Sequence, residues 1–240
     1  MTWKDEALDH AHRARPREAC GLLVVIKGKE TYVPCRNLAL TTEQFILSPE
    51  DYAQAEDRGE ILAIVHSHPS TPAEPSQADR VSCEKTGLPW HICNPNSGDW
   101  AYLEPSGYKA PLVGRAWVWA VTDCWTLVRD WYCEQGLPLA DYDRPPSPEA
   151  FADAPLFDLY WRTAGFYSLP ENDPLQPGDA LLMGIGGQGM NHVGVYIGDG
   201  MLLHHLRGRL SSTDMYGGWL QKCTGRRLRH YNCSELDCLK

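Results

Sequence analysis

The chain has 240 residues, a hydrophobic content of 43% and a formal net charge of −9. This composition predicts a packed globular protein with one large or two modest domains, and it argues against an intrinsically disordered chain. Nucleic-acid binding is not expected, because neutralising phosphates needs a basic face, and no apolar run approaches the ~20 residues of a membrane helix.

The beginning of the sequence, Met1 to Glu6, is charged and lacks the apolar core of a signal peptide. We therefore expect the protein to be made and kept in a cytoplasm unless it leaves as part of an assembly. Its nine cysteines contain no C-x-x-C pair, so in a reducing compartment most of them should be thiols. The basic segment at residues 226–230 is interpreted as a solvated strand edge.

The first hundred residues predict alternating helices and strands. Helices are expected at residues 3–15, at residues 52–58 with Ser48 as the cap, and after Ser76. Strands are expected at residues 22–26, around 31–33, and at 61–65, 89–93 and 100–103. This mixture predicts an α+β fold, a mixed α/β sandwich of about a hundred residues.

Two histidines follow the apolar strand at residues 61–65. His66 and His68 share one face of an extended backbone, because side chains at i and i+2 of a strand point the same way. Asp79 lies one turn into the helix that Ser76 would cap. Two imidazoles and one carboxylate converging in this way predict a zinc site with a fourth position open for water, the arrangement of a catalytic rather than a structural zinc.

A zinc hydrolase also needs a base, and Glu18 is the candidate. Spacing alone leaves open that Glu18 is a surface acid beside Arg15 and Arg17, and that Ser76 is a helix cap only. Roughly residues 1 to 105 resemble the MPN-domain metalloproteases. The positions of their JAMM motif are matched by Glu18, the run from His66 to Pro69, Ser76 and Asp79. The resemblance implies that His66, His68 and Asp79 bind one Zn²⁺, that Glu18 is the general base, and that Ser76 steadies the oxyanion.

The second half begins after a turn-rich bridge at residues 104–113, which predicts a domain boundary. A helix is expected after Thr122 or Asp123, with Cys124 at its N-terminus, where the helix dipole should lower the pKa of the thiol. The alternative is a buried, inert cysteine. Residues 151–165 predict a further helix, with Leu159 and Tyr160 among its inward positions. A strand at residues 180–183 and a hairpin at residues 192–205 follow.

His192 opens one strand of that hairpin, and His204 on the returning strand can lie beside it. A cysteine at a helix start, a histidine and a polar residue on the next strand can form a thiol-peptidase triad. This half of the sequence resembles the NlpC family of cell-wall cysteine peptidases, which has a papain-like core. The matching segments are Asp123 to Cys124, His192 to Gly198, and His204. The family pattern favours His204 over His205 as third member. Trp125 and Thr126 depart from the Ser-Gly of many relatives.

An MPN-like domain at residues 1–106 followed by an NlpC-type domain at residues 107–240 resembles the tail assembly proteins of lambda-like siphophages. The resemblance implies a phage protein that acts at the tail tip, with other tail tip proteins and host peptidoglycan peptides as partners. It would be located in the host cytoplasm during assembly and then in the virion tail tip.

The resemblance implies two peptidase activities. The cysteine site would cleave peptidoglycan stem peptides during cell-wall penetration, and the zinc site would cleave a peptide or isopeptide bond. The alternative is an assembly factor that uses the peptidase folds for binding or for processing a tail protein. A deubiquitinase-like isopeptidase is disfavoured by the attached NlpC-type half.

Overall fold

The structure is a computed structural model that describes residues 2–152, 156–187 and 189–239. The chain divides into two compact units, Met1–Lys109 and Ala110–Lys240. Among the residues that the structure describes, no helix combines the length and apolar character needed to cross a bilayer.

The first unit is a mixed sheet with helices on both faces. Its elements are α1 (Trp3–Ala14), β1 (Cys20–Ile26), β2 (Lys29–Cys35), α2 (Pro49–Glu56), β3 (Glu60–Ser67), α3 (Gln77–Thr86), β4 (Trp90–Cys93) and β5 (Trp100–Leu103). The strands follow the order β2-β1-β3-β4-β5, in which β3 and β4 are parallel and the other neighbours antiparallel. All the helices and strands predicted for this half are present.

Strand alternation divides the core of this unit into two layers. Leu23 and Val65 pack beneath α1, whereas Leu22, Val24 and Ile64 pack on the opposite face with residues of α2 and α3. His66 lies two residues beyond Ile64, so its side chain emerges on the same face as α3. The sandwich therefore directs the histidine pair toward the helix that carries Asp79.

The second unit is built on an antiparallel sheet. Its elements are α4 (Cys124–Glu134), α5 (Pro148–Ala152), α6 (Leu156–Tyr160), β6 (Phe166–Ser168), β7 (Ala180–Met183), β8 (His192–Gly198), β9 (Met201–His204), β10 (Ser212–Met215), α7 (Gly218–Cys223) and β11 (Thr224–His230). The strand order is β10-β9-β8-β7-β11-β6. The predicted strand at 180–183 and the predicted hairpin are confirmed as β7, β8 and β9.

Helix α4 packs its apolar side on this sheet. Leu127, Val128 and Tyr132 are fully buried and share a core with Val193 and Val195 of β8. On the other face of the sheet, Leu181, Met183 and Leu202 pack with Leu220 of α7. Helix α4 is thus fixed along its length, which holds its N-terminal residue, Cys124, at a defined place beside β8.

Three sequence predictions about the helices and strands of this unit are wrong. The single helix expected at 151–165 is replaced by α5 and α6, and residues 153–155 lie outside the described residues. Leu159 and Tyr160, expected to face inward, are 61% and 38% exposed, because a five-residue helix completes more than one turn and must show one side to solvent. The basic segment 226–230 is not a sheet edge: β11 pairs with β7 on one side and β6 on the other.

Candidate active sites

The first site lies where β3 ends and α3 begins. The Nε2 atoms of His66 and His68 are 3.1 Å apart. The Asp79 carboxylate lies 3.2 Å from Nε2 of His66 and 3.4 Å from Nε2 of His68. All three side chains are buried, and one ligand atom from each falls within 4.8 Å of the others. The structure thus brings together the three residues that the sequence predicts as metal ligands.

The donor set of these three residues fits a zinc ion. Nδ1 of His68 lies 2.8 Å from the carbonyl oxygen of Pro72, so the ring proton belongs on Nδ1 and the Nε2 lone pair is free for a metal. Phe45 stacks on the His66 ring at 4.8 Å and Trp90 meets it edge-on at 5.3 Å. Burial alone would raise the pKa of Asp79, but its close contacts with the His66 and His68 rings and the hydrogen bond from the Ser76 hydroxyl hold it well below its usual range. A carboxylate is therefore present for a cation at neutral pH.

Glu18 is placed beside this cluster by the register of β1 and β3. Cys20 pairs with His66 in antiparallel register, and the pairing continues with Ser67, whose Oγ accepts a hydrogen bond of 2.9 Å from the Ala19 amide. Continued by one residue, this register sets Glu18 opposite His68. Burial raises the pKa of Glu18 to about 8, with Asp79 acting in the same direction and His68 in the opposite one. A cation near Glu18 would favour its ionised form, the form that can take a proton.

Ser76 caps α3 in a capping box with Asp79. The Asp79 amide donates to Oγ of Ser76 at 3.1 Å, and the Ser76 amide donates to the Asp79 carboxylate at 2.7 Å. The capping role left open by the sequence is therefore present. Oγ accepts in this contact, and the Ser76 hydroxyl also bonds the Asp79 carboxylate, which helps to keep that carboxylate ionised.

The second site is centred on Cys124, the first residue of α4. Asp123 is the cap, accepting a hydrogen bond of 3.0 Å from the Thr126 amide. Burial, with a smaller effect of Asp123, raises the pKa of the Cys124 thiol to about 12, although the Val193 and Trp125 amides act in the opposite direction. The predicted lowering of this pKa is therefore wrong. The helix N-terminus acts as expected, but the cost of burying a thiolate outweighs it.

His192, at the start of β8, lies in a line of polar side chains. Its Nε2 atom is 3.1 Å from Nδ1 of His204, and Nε2 of His204 is 2.9 Å from the carboxylate of Asp214. Burial lowers the pKa of His192 to about 3, so its ring is neutral at pH 7. Among the described residues no hydrogen bond joins the Cys124 sulfur to His192, but such contacts are often long before substrate binds.

Asp214 is the residue that sequence reasoning missed. It lies on β10, for which no strand was predicted, although the short stretch after His204 and the turn at Gly208 could have suggested a third strand. His205, the weaker candidate for the third position, bonds through Nε2 to the Arg209 carbonyl at 3.1 Å. The structure therefore pairs His204, rather than His205, with His192.

An apolar cavity of about 60 Å³ adjoins the Cys124 thiol. Trp125, Tyr142, Tyr160 and Trp161 contribute aromatic rings to its wall. The indole N–H of Trp125 is buried and has no hydrogen-bond partner among the described residues. The cavity therefore offers a substrate a largely apolar wall.

Comparison with known proteins gives one family match for each half of the chain. Residues 2–105 match the prokaryotic homologs of the JAB domain, and residues 114–229 match the NlpC/P60 family. Tail tip assembly protein K of Escherichia phage N15 is 41% identical to this chain over 230 residues, covering 94% of this chain and 93% of that protein. The chain belongs to the tail tip assembly protein K family.

A second family member, Tail tip assembly protein K of Escherichia phage lambda, is 35% identical over 199 residues, covering 77% of this chain and 89% of that protein. Among solved structures, a JAB1/MPN domain protein from Archaeoglobus fulgidus is 21% identical, with a TM-score of 0.30 over 45% of this chain and 87% of that chain. The predicted family and the predicted fold class are confirmed: an MPN/JAB-like domain precedes an NlpC/P60 domain.

Proposed function

We propose that this tail tip assembly protein carries two peptidase sites. The NlpC-type domain, assigned to residues 107–240, is a cysteine endopeptidase that cleaves peptidoglycan stem peptides during cell-wall penetration. The MPN-like domain, assigned to residues 1–106, is a zinc-dependent peptidase that cleaves a peptide or isopeptide bond. One observation supports the proposal: in each domain, the residues of its own motif lie close together. His66, His68 and Asp79 surround one point in the first domain. In the second domain, His192 and His204 are in hydrogen-bond contact beside the start of α4.

In the cysteine site, Cys124 and His192 are both neutral before substrate arrives. The proton of the thiol passes to His192 as the sulfur attacks the carbonyl carbon, and His204 holds the imidazole in place. His192 then gives that proton to the leaving amine, which leaves an acyl group on Cys124. Water, deprotonated by His192, hydrolyses this thioester and regenerates the thiol.

In the first site, His66, His68 and Asp79 would hold the zinc ion. When bound, zinc supplies Lewis acidity toward a carbonyl and lowers the pKa of water. Glu18 accepts a proton from the attacking water and returns it to the leaving amine. The hydroxyl proton of Ser76 turns from the Asp79 carboxylate to the developing oxyanion and donates to it.

Membership of this family suggests where in the cell and in the virion these activities would operate. We place the protein in the host cytoplasm during assembly and then in the virion tail tip, with other tail tip proteins and peptidoglycan peptides as its partners. Nucleic acid is not a proposed partner, since the net charge is −9.

The test is muropeptide analysis of peptidoglycan digested by the purified full chain, alongside measurement of its zinc content. We expect released stem-peptide fragments and one zinc ion per chain. Cys124→Ala should abolish the fragments without lowering the zinc content, whereas Asp79→Asn should lower the zinc content and leave the fragments. Cys133→Ala, which removes an exposed cysteine of α4, is the matched control for the loss of a thiol.

Intact peptidoglycan after digestion, together with plaque formation that survives both Cys124→Ala and Glu18→Ala, would refute the enzymatic proposal. The chain would then act as an assembly factor whose peptidase folds bind tail proteins.

A further inference from the structure

Three neighbouring strands at one side of the second sheet carry a continuous line of hydrogen-bonding side chains. His192 is on β8, His204 on β9 and Asp214 on β10. Gly194 lies directly opposite His204, and Ser212 lies opposite His204 on the other side. His192 and Asp214 are each two residues from those partners, so all three side chains share one face and meet along diagonals, which long side chains can span.

Gly194, on the same strand as His192, keeps this diagonal open. A Cβ atom at Gly194 would lie 3.0 Å from Cβ of His204, closer than ordinary packing allows. The glycine therefore leaves the space in which His204 reaches back to His192. A side chain at position 194 would force His204 or Leu202 to shift.

The ring nitrogens of His192 and His204 that carry protons can be assigned by starting from Asp214. The hydrogen bond from His204 lowers the pKa of Asp214, so Asp214 is ionised at neutral pH and can only accept. Nε2 of His204, 2.9 Å away, must then carry the proton. When the His204 ring carries this one proton, Nδ1 accepts, and the atom 3.1 Å from it, Nε2 of His192, donates. The lone pair of His192 is therefore on Nδ1, the nitrogen not engaged by His204.

We infer that Asp214 is a positioning residue for the cysteine site: acting through His204, it fixes His192 in the tautomer whose Nδ1 can take the thiol proton of Cys124. The inference rests on the proposed cysteine-peptidase function. Ser212, whose hydroxyl lies 3.2 Å from the same carboxylate oxygen, holds Asp214 in place. Asp214 reaches no reacting atom itself, since two imidazole rings separate it from the thiol.

The direct test is ¹⁵N NMR of the full chain labelled at its nine histidines, with His192→Gln and His204→Gln spectra for assignment. Nitrogen shifts report which ring nitrogen carries the proton. We expect the wild-type protein to carry it on Nε2 of both His192 and His204. Asp214→Ala should give a mixture of tautomers at His192, whereas Asp214→Asn, whose amide oxygen can accept, should restore the wild-type pattern. Glu149→Gln, which changes an exposed carboxylate paired with Arg207, is the control.

Kinetics on peptidoglycan fragments provides the second measurement. Asp214→Ala should lower kcat/KM by at least about tenfold, part of the 10²- to 10⁴-fold that a positioned general base contributes. Asp214→Asn should recover most of this loss. In a His204→Ala background, Asp214→Ala should have no further effect, because Asp214 acts through His204.

The inference is overturned if the wild-type protein carries the proton on Nδ1 of His192, or if Asp214→Ala leaves both the tautomers and kcat/KM unchanged. Equal losses from Asp214→Ala with and without His204 would also overturn it. A wild-type protein without peptidase activity would refute the proposed function instead, and the NMR measurement would still decide how Asp214 acts on His192.

Discussion

At the scale of single residues, the cysteine site begins from an unreactive thiol. Burial raises the pKa of Cys124 to about 12, so at pH 7 almost none of it is thiolate, the form that alkylating agents attack. We expect iodoacetamide at pH 7 to modify the exposed Cys133 much faster than Cys124. Peptide mapping by mass spectrometry after timed alkylation measures both rates in one sample.

The same measurement has an internal check. Raising the pH from 7 toward 10 should speed the modification of Cys124, because the thiolate fraction grows with pH below the pKa. Cys133→Ser should leave the Cys124 rate unchanged. A Cys124 that is modified at pH 6 as fast as Cys133 would show that the free site already holds a thiolate, contrary to the structure.

The residues of both sites differ in how far sequence could predict them. His66, His68 and Asp79 follow from a strand period, a cap and a helix start, all of which are local signals. The pKa of Cys124 does not, because its direction depends on burial by elements distant in sequence, such as β8. Asp214 was missed for a similar reason: only the pairing of β10 with β9 brings it to His204.

At the scale of elements, the start of α3 combines a structural and a proposed catalytic role in one hydroxyl. Ser76→Asp separates them, since a carboxylate can still accept the Asp79 amide but has no proton to donate. We expect the cap to persist, with thermal unfolding close to that of the wild-type protein, and the zinc-dependent peptidase activity to fall. Ser76→Ala should lose the activity and about 1 kcal/mol of stability.

Ser48 supplies a control for the loss of a capping hydroxyl, because its Oγ caps α2 by accepting from the Asp51 amide at 3.3 Å; it also accepts from Nη2 of Arg36 at 2.9 Å. Ser48→Ala should cost a similar ~1 kcal/mol and leave the activity intact. If Ser76→Asp retains full activity, the hydroxyl proton of Ser76 has no role in the reaction.

A second element-scale prediction concerns the segment that ends the first unit. The Glu84 carboxylate of α3 accepts from the Ser106, Gly107 and Tyr108 amides at 2.6, 3.1 and 2.9 Å. These hydrogen bonds, that of Ser106 foremost, lower the pKa of Glu84. A carboxyl group with a lowered folded-state pKa stabilises the fold above its unfolded pKa, and the effect is lost as pH falls through the folded value.

Amide hydrogen exchange tests this contact. Glu84→Gln should speed exchange at residues 106–108 at pH 7, since an amide oxygen accepts more weakly than a carboxylate. In the wild-type protein, protection at these amides should decline relative to other sites as the pH falls through the lowered pKa of Glu84. Glu74→Gln, a change at an exposed acid, should leave the segment protected. Unchanged exchange in Glu84→Gln would show that the segment is held by other contacts.

Most helices and strands were predictable from the sequence, and each exception has its own physical reason. Periodic segments with clear caps, such as α1, α3 and α4, and the β8–β9 hairpin were predicted because local patterns determine them. The region at residues 151–165 was not, since its apolar residues are divided between two short helices. Strand β11 was misread as an edge because its arginines suggest a solvated strand. Its backbone pairs with β6 and β7, and Arg229 forms a salt bridge of 2.8 Å with the buried Asp179.

At the scale of the whole molecule, the two compact units each contain a complete set of proposed catalytic residues, and no residue of one set comes from the other unit. The proposed chemistries also need different reagents to block them. A chelator removes zinc but cannot alter a thiol, whereas an alkylating agent modifies Cys124 but leaves the imidazoles and carboxylate of the first site intact. The two activities should therefore be separable within one intact chain.

We expect a chelator to abolish cleavage of the zinc site's substrate and to leave release of stem-peptide fragments unchanged, with restoration by added Zn²⁺. Alkylation completed at raised pH should have the opposite effect, and Cys124→Ala should reproduce it without reagent. A chelator effect that persists in protein already carrying Asp79→Asn would indicate a metal elsewhere. Loss of both activities with either reagent would show that the two sites act on one substrate in sequence, and not as independent peptidases.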